Sequence, residues 1–75
     1  MNYKEKIESN LGVLLGKPVV KGTRITVELI LRKLASGYST EEVLQAYPHL
    51  TKEDILASID YAASVISNEE MLEAE

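Results

Sequence analysis

Gly16-Lys17-Pro18-Val19-Val20-Lys21-Gly22-Thr23-Arg24-Ile25-Thr26-Val27 is the stretch on which the reading of this chain turns. Pro18 fixes its own φ and disfavours a helical conformation at Lys17, so the segment enters as an extended arm. Gly22 then turns the chain. The β-branched run from Thr23 to Val27 is placed to lie back against Val19 and Val20 as a minimal hairpin. A hairpin of that size is marginal by itself. It needs helices behind it, or a second copy of the chain, to cover its apolar face.

The helices follow directly. Val27, Ile30, Leu31 and Leu34 recur at i, i+3, i+4 and i+7, with Arg32 and Lys33 on the other side. Thr26 is the expected N-cap, and Gly37 the residue that takes a left-handed conformation just past the end. Ser39 and Glu42 have capping-box spacing and open a second helix with Val43, Leu44 and Tyr47 as its apolar stripe. Pro48 ends it. Thr51 opens the third, with Asp54 as a shorter stand-in for the usual Glu or Gln. Ile55, Leu56, Ile59, Ala62, Ala63 and Ile66 then follow at helical spacing, which predicts a helix to about residue 67.

Upstream of the arm, Leu11 to Leu15 is an apolar run whose length favours a strand, paired with residues 18 to 20 or with a partner chain. Residues 1 to 10 are polar apart from Tyr3 and Ile7 and read as a helical turn or a loose arm. The expected organisation is a variable segment 1–10, a single domain 11–67 and an acidic tail 68–75. The fold class is mainly α: a three-helix helix-turn-helix bundle, homeodomain-like, with a short N-terminal β arm or hairpin.

Seventy-five residues make one domain with a thin core, and a chain of this size hides only about 60% of the surface its unfolded state exposes. Self-association is the expected source of further burial. The chain has no cysteine, which excludes disulfides, thiolate metal sites and a cysteine nucleophile. No apolar run has secretory or membrane-spanning length, so a soluble, cytoplasmic protein is expected.

The net charge of −4 hides a sorting along the chain. Residues 17–33 carry Lys17, Lys21, Arg24, Arg32 and Lys33 against Glu28, five cations to one carboxylate. Residues 41–60 carry five carboxylates against Lys52, and the tail adds Glu69, Glu70, Glu73 and Glu75. A local basic patch allows a nucleic-acid partner that the average would argue against.

Trihelical bundles without DNA binding are common, so the outline by itself assigns no function. The third helix opens with Lys52, Glu53 and Asp54, whereas a recognition helix presents Arg, Lys, Asn or Gln to base edges. A DNA contact is therefore expected on Lys17, Lys21, Arg24, Arg32 and Lys33, the competing reading being a solvated surface. For Arg24 a specific ion pair or anion contact is as good a reading. His49 is the single histidine and is expected simply to occupy its turn. Glu41 and Glu42 are explained by capping and the helix dipole. No nucleophile, base and orienting group come together in the sequence, so no catalytic residue, metal ligand or cofactor is expected. The tyrosines at 38, 47 and 61 are read as core or interface residues.

Gly16-Lys17-Pro18, Gly22-Thr23-Arg24-Ile25, the run Ala35 to Leu44, Tyr47-Pro48-His49-Leu50-Thr51 with Lys52 to Ile55, and Tyr61-Ala62-Ala63 closely resemble the domain of unknown function four-three-three family over residues 11–64. The resemblance implies a homeodomain-like or winged-helix-like trihelical fold with a short β arm, often dimeric. It also implies an antitoxin-like role in a type II toxin-antitoxin pair, with a PIN-like ribonuclease toxin and promoter DNA as partners. It carries over no catalytic residue. Thr26 stands where many members have proline.

Two functions remain open on these grounds. One is an antitoxin-like regulator, a homodimer whose basic arm meets DNA while the acidic tail, through Met71 and Leu72, meets a toxin. The other is a dimeric protein-interaction module that binds no DNA.

Overall fold

The structure, a computed structural model, describes residues 3–9, 12 and 14–73. Its elements are β1 (Ile7–Glu8), β2 (Val19–Val20), α1 (Val27–Ala35), α2 (Thr40–Ala46) and α3 (Lys52–Glu73), with short 3₁₀ turns at Tyr3–Glu5 and Leu14–Gly16. The architecture is three helices with a small antiparallel sheet at the N-terminal side.

The arm folds back as its composition predicts, and then finds a further partner. Thr26 bridges Val19 antiparallel, Val20 N–H donates to the Ile25 carbonyl at 3.0 Å, and Val27 N–H donates to the Pro18 carbonyl at 3.0 Å. The longer pairing lies on the opposite edge of the same segment. There Ile7 faces Val20 and Glu8 faces Val19 across β1 and β2. Residues 1 to 10, expected as a helical turn or a loose arm, thus contain a 3₁₀ turn at Tyr3–Glu5 followed by a strand held by the sheet. Ile7, a lone apolar residue in a polar stretch, is buried in the core.

The strand expected over Leu11 to Leu15 is corrected where it can be seen. Leu11 and Val13 lie outside the described residues, while Leu14–Gly16 forms a 3₁₀ turn. Leu15 has φ 58° and Gly16 φ 84°, and two successive left-handed residues curl the chain instead of extending it. Leu15 is also 91% exposed, so its apolar character reflects no burial.

Each helix is punctuated by its own side chains. The Thr26 hydroxyl accepts from Leu29 N–H at 3.0 Å and starts α1. At the other end Gly37 N–H donates to the Leu34 carbonyl and Tyr38 N–H to the Lys33 carbonyl, with Gly37 at φ 100°. That is the Schellman arrangement, which satisfies carbonyls the helix leaves open. Ser39 and Glu42 form the complete reciprocal box at the start of α2. Thr51 and Asp54 do the same for α3, the shorter carboxylate still reaching the Thr51 N–H at 2.9 Å.

Ile7, Val20, Val27, Ile30, Val43, Leu50, Ile55 and Ala57 make one buried cluster, with Tyr3, Leu31, Leu34, Leu44, Tyr47 and Tyr61 packed around it. Tyr3 meets Tyr61 edge-on, ring centres 5.3 Å apart and planes at 80°. This favourable aromatic geometry ties the N-terminal turn to α3. On α3 the inward face carries Asp54, Ile55, Ala57 and Ser58. The Ser58 hydroxyl donates to the Asp54 carbonyl at 2.9 Å, so its burial leaves no unsatisfied group.

The apolar stripe expected on α3 divides in two. Leu56, Ile59 and Ile66 do not enter the core but stand exposed on the outside with Val65. The helix backbone also continues to Glu73, past the expected end near residue 67.

Candidate nucleic-acid interface

Two hydrogen bonds of the Thr23 hydroxyl brace the loop that carries the central cations. Gly22 adopts φ 78°, which lets the chain leave β2 in a tight turn. Thr23 locks that turn twice: its hydroxyl donates to the Val20 carbonyl at 2.8 Å and accepts from Ile25 N–H at 3.0 Å. With Thr23 tied inward, its neighbours Lys21 and Arg24 are left exposed. The Gly-Thr-Arg motif thus has a divided role: glycine bends, threonine locks and arginine is presented.

Opposite this loop lies the turn between α2 and α3. An open concavity of about 570 Å³ between them is lined by Lys21, Gly22, Thr23, Arg24, Ile25 and His49. Lys21 and Arg24 are therefore brought together, and His49 joins them. The sequence placed His49 in its turn but held no sign of this proximity, because the residues are far apart along the chain and only tertiary packing unites them.

The other three predicted cations are placed elsewhere. Glu28 on α1 accepts a 3.0 Å hydrogen bond from Arg32 Nε, and its other oxygen lies 3.5 Å from Lys17 Nζ. The Arg32 hydrogen bond and then the Lys17 charge hold the Glu28 carboxyl below its ordinary value. One carboxylate thus offsets part of the charge of two of the five candidates. Lys33 Nζ sits 5.0 Å from the centre of the Tyr38 ring, a cation–π contact beside the α1 C-terminus. Met71 and Leu72 lie on the last turns of α3, and their side chains are outside the described residues.

The start of α3 carries its own acceptors: the Thr51 N–H meets the Asp54 carboxylate, the Asp54 N–H meets the Thr51 hydroxyl, and Glu53 stands exposed beside them. Lys6 Nζ lies 4.0 Å from Asp54, a long contact at a half-exposed lysine. A second, largely apolar groove of about 400 Å³ runs between α1 and α3 over Leu31, Ala35, Tyr61 and Ala62, with Glu28 and Arg32 at its rim. Among the described residues no group of three or more His, Asp or Glu comes together in a way that could hold a metal ion. No helix among them is long and apolar enough to cross a membrane.

Three helices, a short β hairpin on the N-terminal side and a cationic loop beside the α2–α3 turn define a small, mainly α domain of helix-turn-helix outline. The chain belongs to the family described as protein of unknown function (DUF433), which matches residues 7–62. It is similar to the uncharacterized protein y4eO of Sinorhizobium fredii, with 44% identity over 57 residues. That match takes in 75% of this chain and 26% of the relative, so the chain spans about a quarter of the curated protein's length. A crystal structure of a DUF433 member from Anabaena variabilis has the same fold, with a TM-score of 0.78 at 28% identity, covering 93% of this chain and 69% of that one.

Proposed function

We propose that this protein is a non-enzymatic, antitoxin-like regulator acting in the cytoplasm, a homodimer that binds promoter DNA and a PIN-like ribonuclease toxin. The observation that carries the DNA part is the pair Lys21 and Arg24. Among the described residues neither has a carboxylate partner, and both stand exposed on a braced loop of a chain whose net charge is −4. Cations left uncompensated on a rigid loop suit backbone phosphate, the chief source of DNA affinity. Arg32, Lys17 and Lys33 contribute less, because Glu28 and Tyr38 already engage them.

The protein-binding part rests on α3. Leu56, Ile59, Ala63 and Ile66 follow the alternating three- and four-residue spacing of a helix-pairing seam, on the side away from the core. We assign the dimer contact to this seam, and the toxin contact to the last turns of α3 with Met71 and Leu72. A dimeric interaction module without DNA binding is the second reading, favoured by the carboxylate cap on α3.

Co-purification of the tagged chain with the product of its adjacent gene, followed by a promoter shift, tests the proposal. A stoichiometric complex that shifts its own promoter supports it. A lone protein that shifts nothing at low salt removes the regulatory role.

A further inference from the structure

The concavity between the β2–α1 loop and the α2–α3 turn gathers hydrogen-bond donors that the fold itself leaves unused. Lys21, Arg24 and His49 line it and are all exposed, and no Asp or Glu is among its lining residues. Among the described residues none of the three makes an ion pair. The main chain adds to the set. Lys21 and Thr23 spend their N–H groups on the carbonyls of Lys6 and Val20, and Ile25 spends its own on the Thr23 hydroxyl. The N–H groups of Gly22 and Arg24 meet no acceptor among the described residues.

An oxyanion with several acceptor oxygens and more than one lone-pair direction fits this set, and a phosphate diester is such a group. Histidine brings a property that lysine and arginine lack. It donates from both ring nitrogens only when protonated, and it is the side chain whose charge changes between about pH 5 and 8. Lys21 and Arg24 are the charged groups that line the concavity with it, and a phosphate held between the three would meet the protonated ring as one more donor and one more positive charge.

Resting on the DNA-binding reading above, we infer that Lys21, Arg24, His49 and the Gly22 and Arg24 amides form one site for a nucleic-acid backbone phosphate, with His49 joining as imidazolium. Binding therefore takes up a proton and tightens as pH falls. The sequence offers no other histidine to supply that dependence.

Because the histidine is single, its imidazole resonances can be followed by NMR in the whole chain without assignment ambiguity. The titration is recorded free, with a mixed-sequence duplex of about 20 base pairs at about 50 mM salt, and with inorganic phosphate at matched ionic strength. Duplex affinity is measured in parallel by anisotropy. The expected result is a His49 midpoint displaced upward by duplex, an affinity gain of about three- to tenfold between pH 8 and 6, and its loss in His49→Gln. Lys21→Ala and Arg24→Ala should reduce the displacement, with circular dichroism confirming that all three variants fold. Duplex bound with an unmoved His49 titration and an unchanged pH dependence in His49→Gln overturns the inference and leaves DNA binding standing. A midpoint moved by inorganic phosphate while no duplex binds overturns the nucleic-acid assignment. Failure of the wild type to bind duplex or to respond to phosphate overturns the DNA-binding reading itself.

Discussion

Thr51 and Asp54 cap each other: the Thr51 N–H donates to the Asp54 carboxylate at 2.9 Å and the Asp54 N–H donates to the Thr51 hydroxyl at 3.2 Å. The helix that a helix-turn-helix protein would insert into the major groove therefore begins with a buried carboxylate at its positive end. Asp54→Ala is expected to destabilise the fold by about 1–2 kcal/mol, because it removes a cap and leaves the Thr51 amide without its acceptor. Urea unfolding followed by circular dichroism measures this. The variant should not gain DNA affinity beyond the removal of one charge, since the phosphate contact is assigned to the β2–α1 loop.

Glu28 divides the predicted basic patch, and its removal should partly restore it. In Glu28→Gln the charges of Lys17 and Arg32 lose their common partner, so DNA binding is expected to strengthen and its salt dependence to steepen. The carboxyl itself should titrate below the ordinary glutamate range, as carbon-13 NMR would show. A lowered folded-state value means that the ion pairs stabilise the fold above the unfolded glutamate pKa. That contribution is lost as pH falls through the lowered value. At an exposed site the effect on stability is small.

Two left-handed residues give opposite predictions. Gly37 has φ 100° and open space where a Cβ would stand, so Gly37→Ala should cost about 1 kcal/mol from backbone strain with no clash. Leu15 has φ 58° with its side chain in solvent, so Leu15→Asn should raise the melting temperature, asparagine tolerating that conformation better. Thermal melts of both variants check the pair.

Ile30 and Ile59 separate the core from the proposed dimer seam. Ile30 is fully buried, and Ile30→Ala should cost about 2–4 kcal/mol, a large share of what so small a domain has. Ile59 is 44% exposed on the outer face of α3, so Ile59→Glu should leave the fold intact and yield a monomer in sedimentation velocity. An unchanged sedimentation coefficient would place the dimer contact elsewhere or remove it.

The starts of the three helices and the ends of α1 and α2 were legible because they depend on local chemistry, whereas the end of α3, expected near residue 67, lies at Glu73. Thr26, Gly37, Ser39 with Glu42, Pro48 and Thr51 with Asp54 each act within a few residues, and each sits where its type requires. What depends on distant packing was not legible. Ile7 had no apolar neighbours to mark it as a strand, and Leu14 and Leu15, read as part of a strand from their apolar character, lie in or beside a 3₁₀ turn. The stripe of α3 could not reveal from spacing that half of it faces outward, because helical periodicity marks faces and not what covers them. Lys21 and Arg24 were singled out from charge. His49 came to them only through the fold, and Glu28 could be seen as one carboxylate among cations but not as the partner of two of them.

The most direct test of the DNA-binding account is the anisotropy of a labelled promoter duplex titrated with wild type, Lys21→Ala and Arg24→Ala across a salt series. The account predicts binding that weakens steeply with salt, and a slope reduced by about one for each substitution on a fold that circular dichroism shows unchanged. Binding by the wild type with the same slope in both variants, or no binding even at low salt, would contradict it.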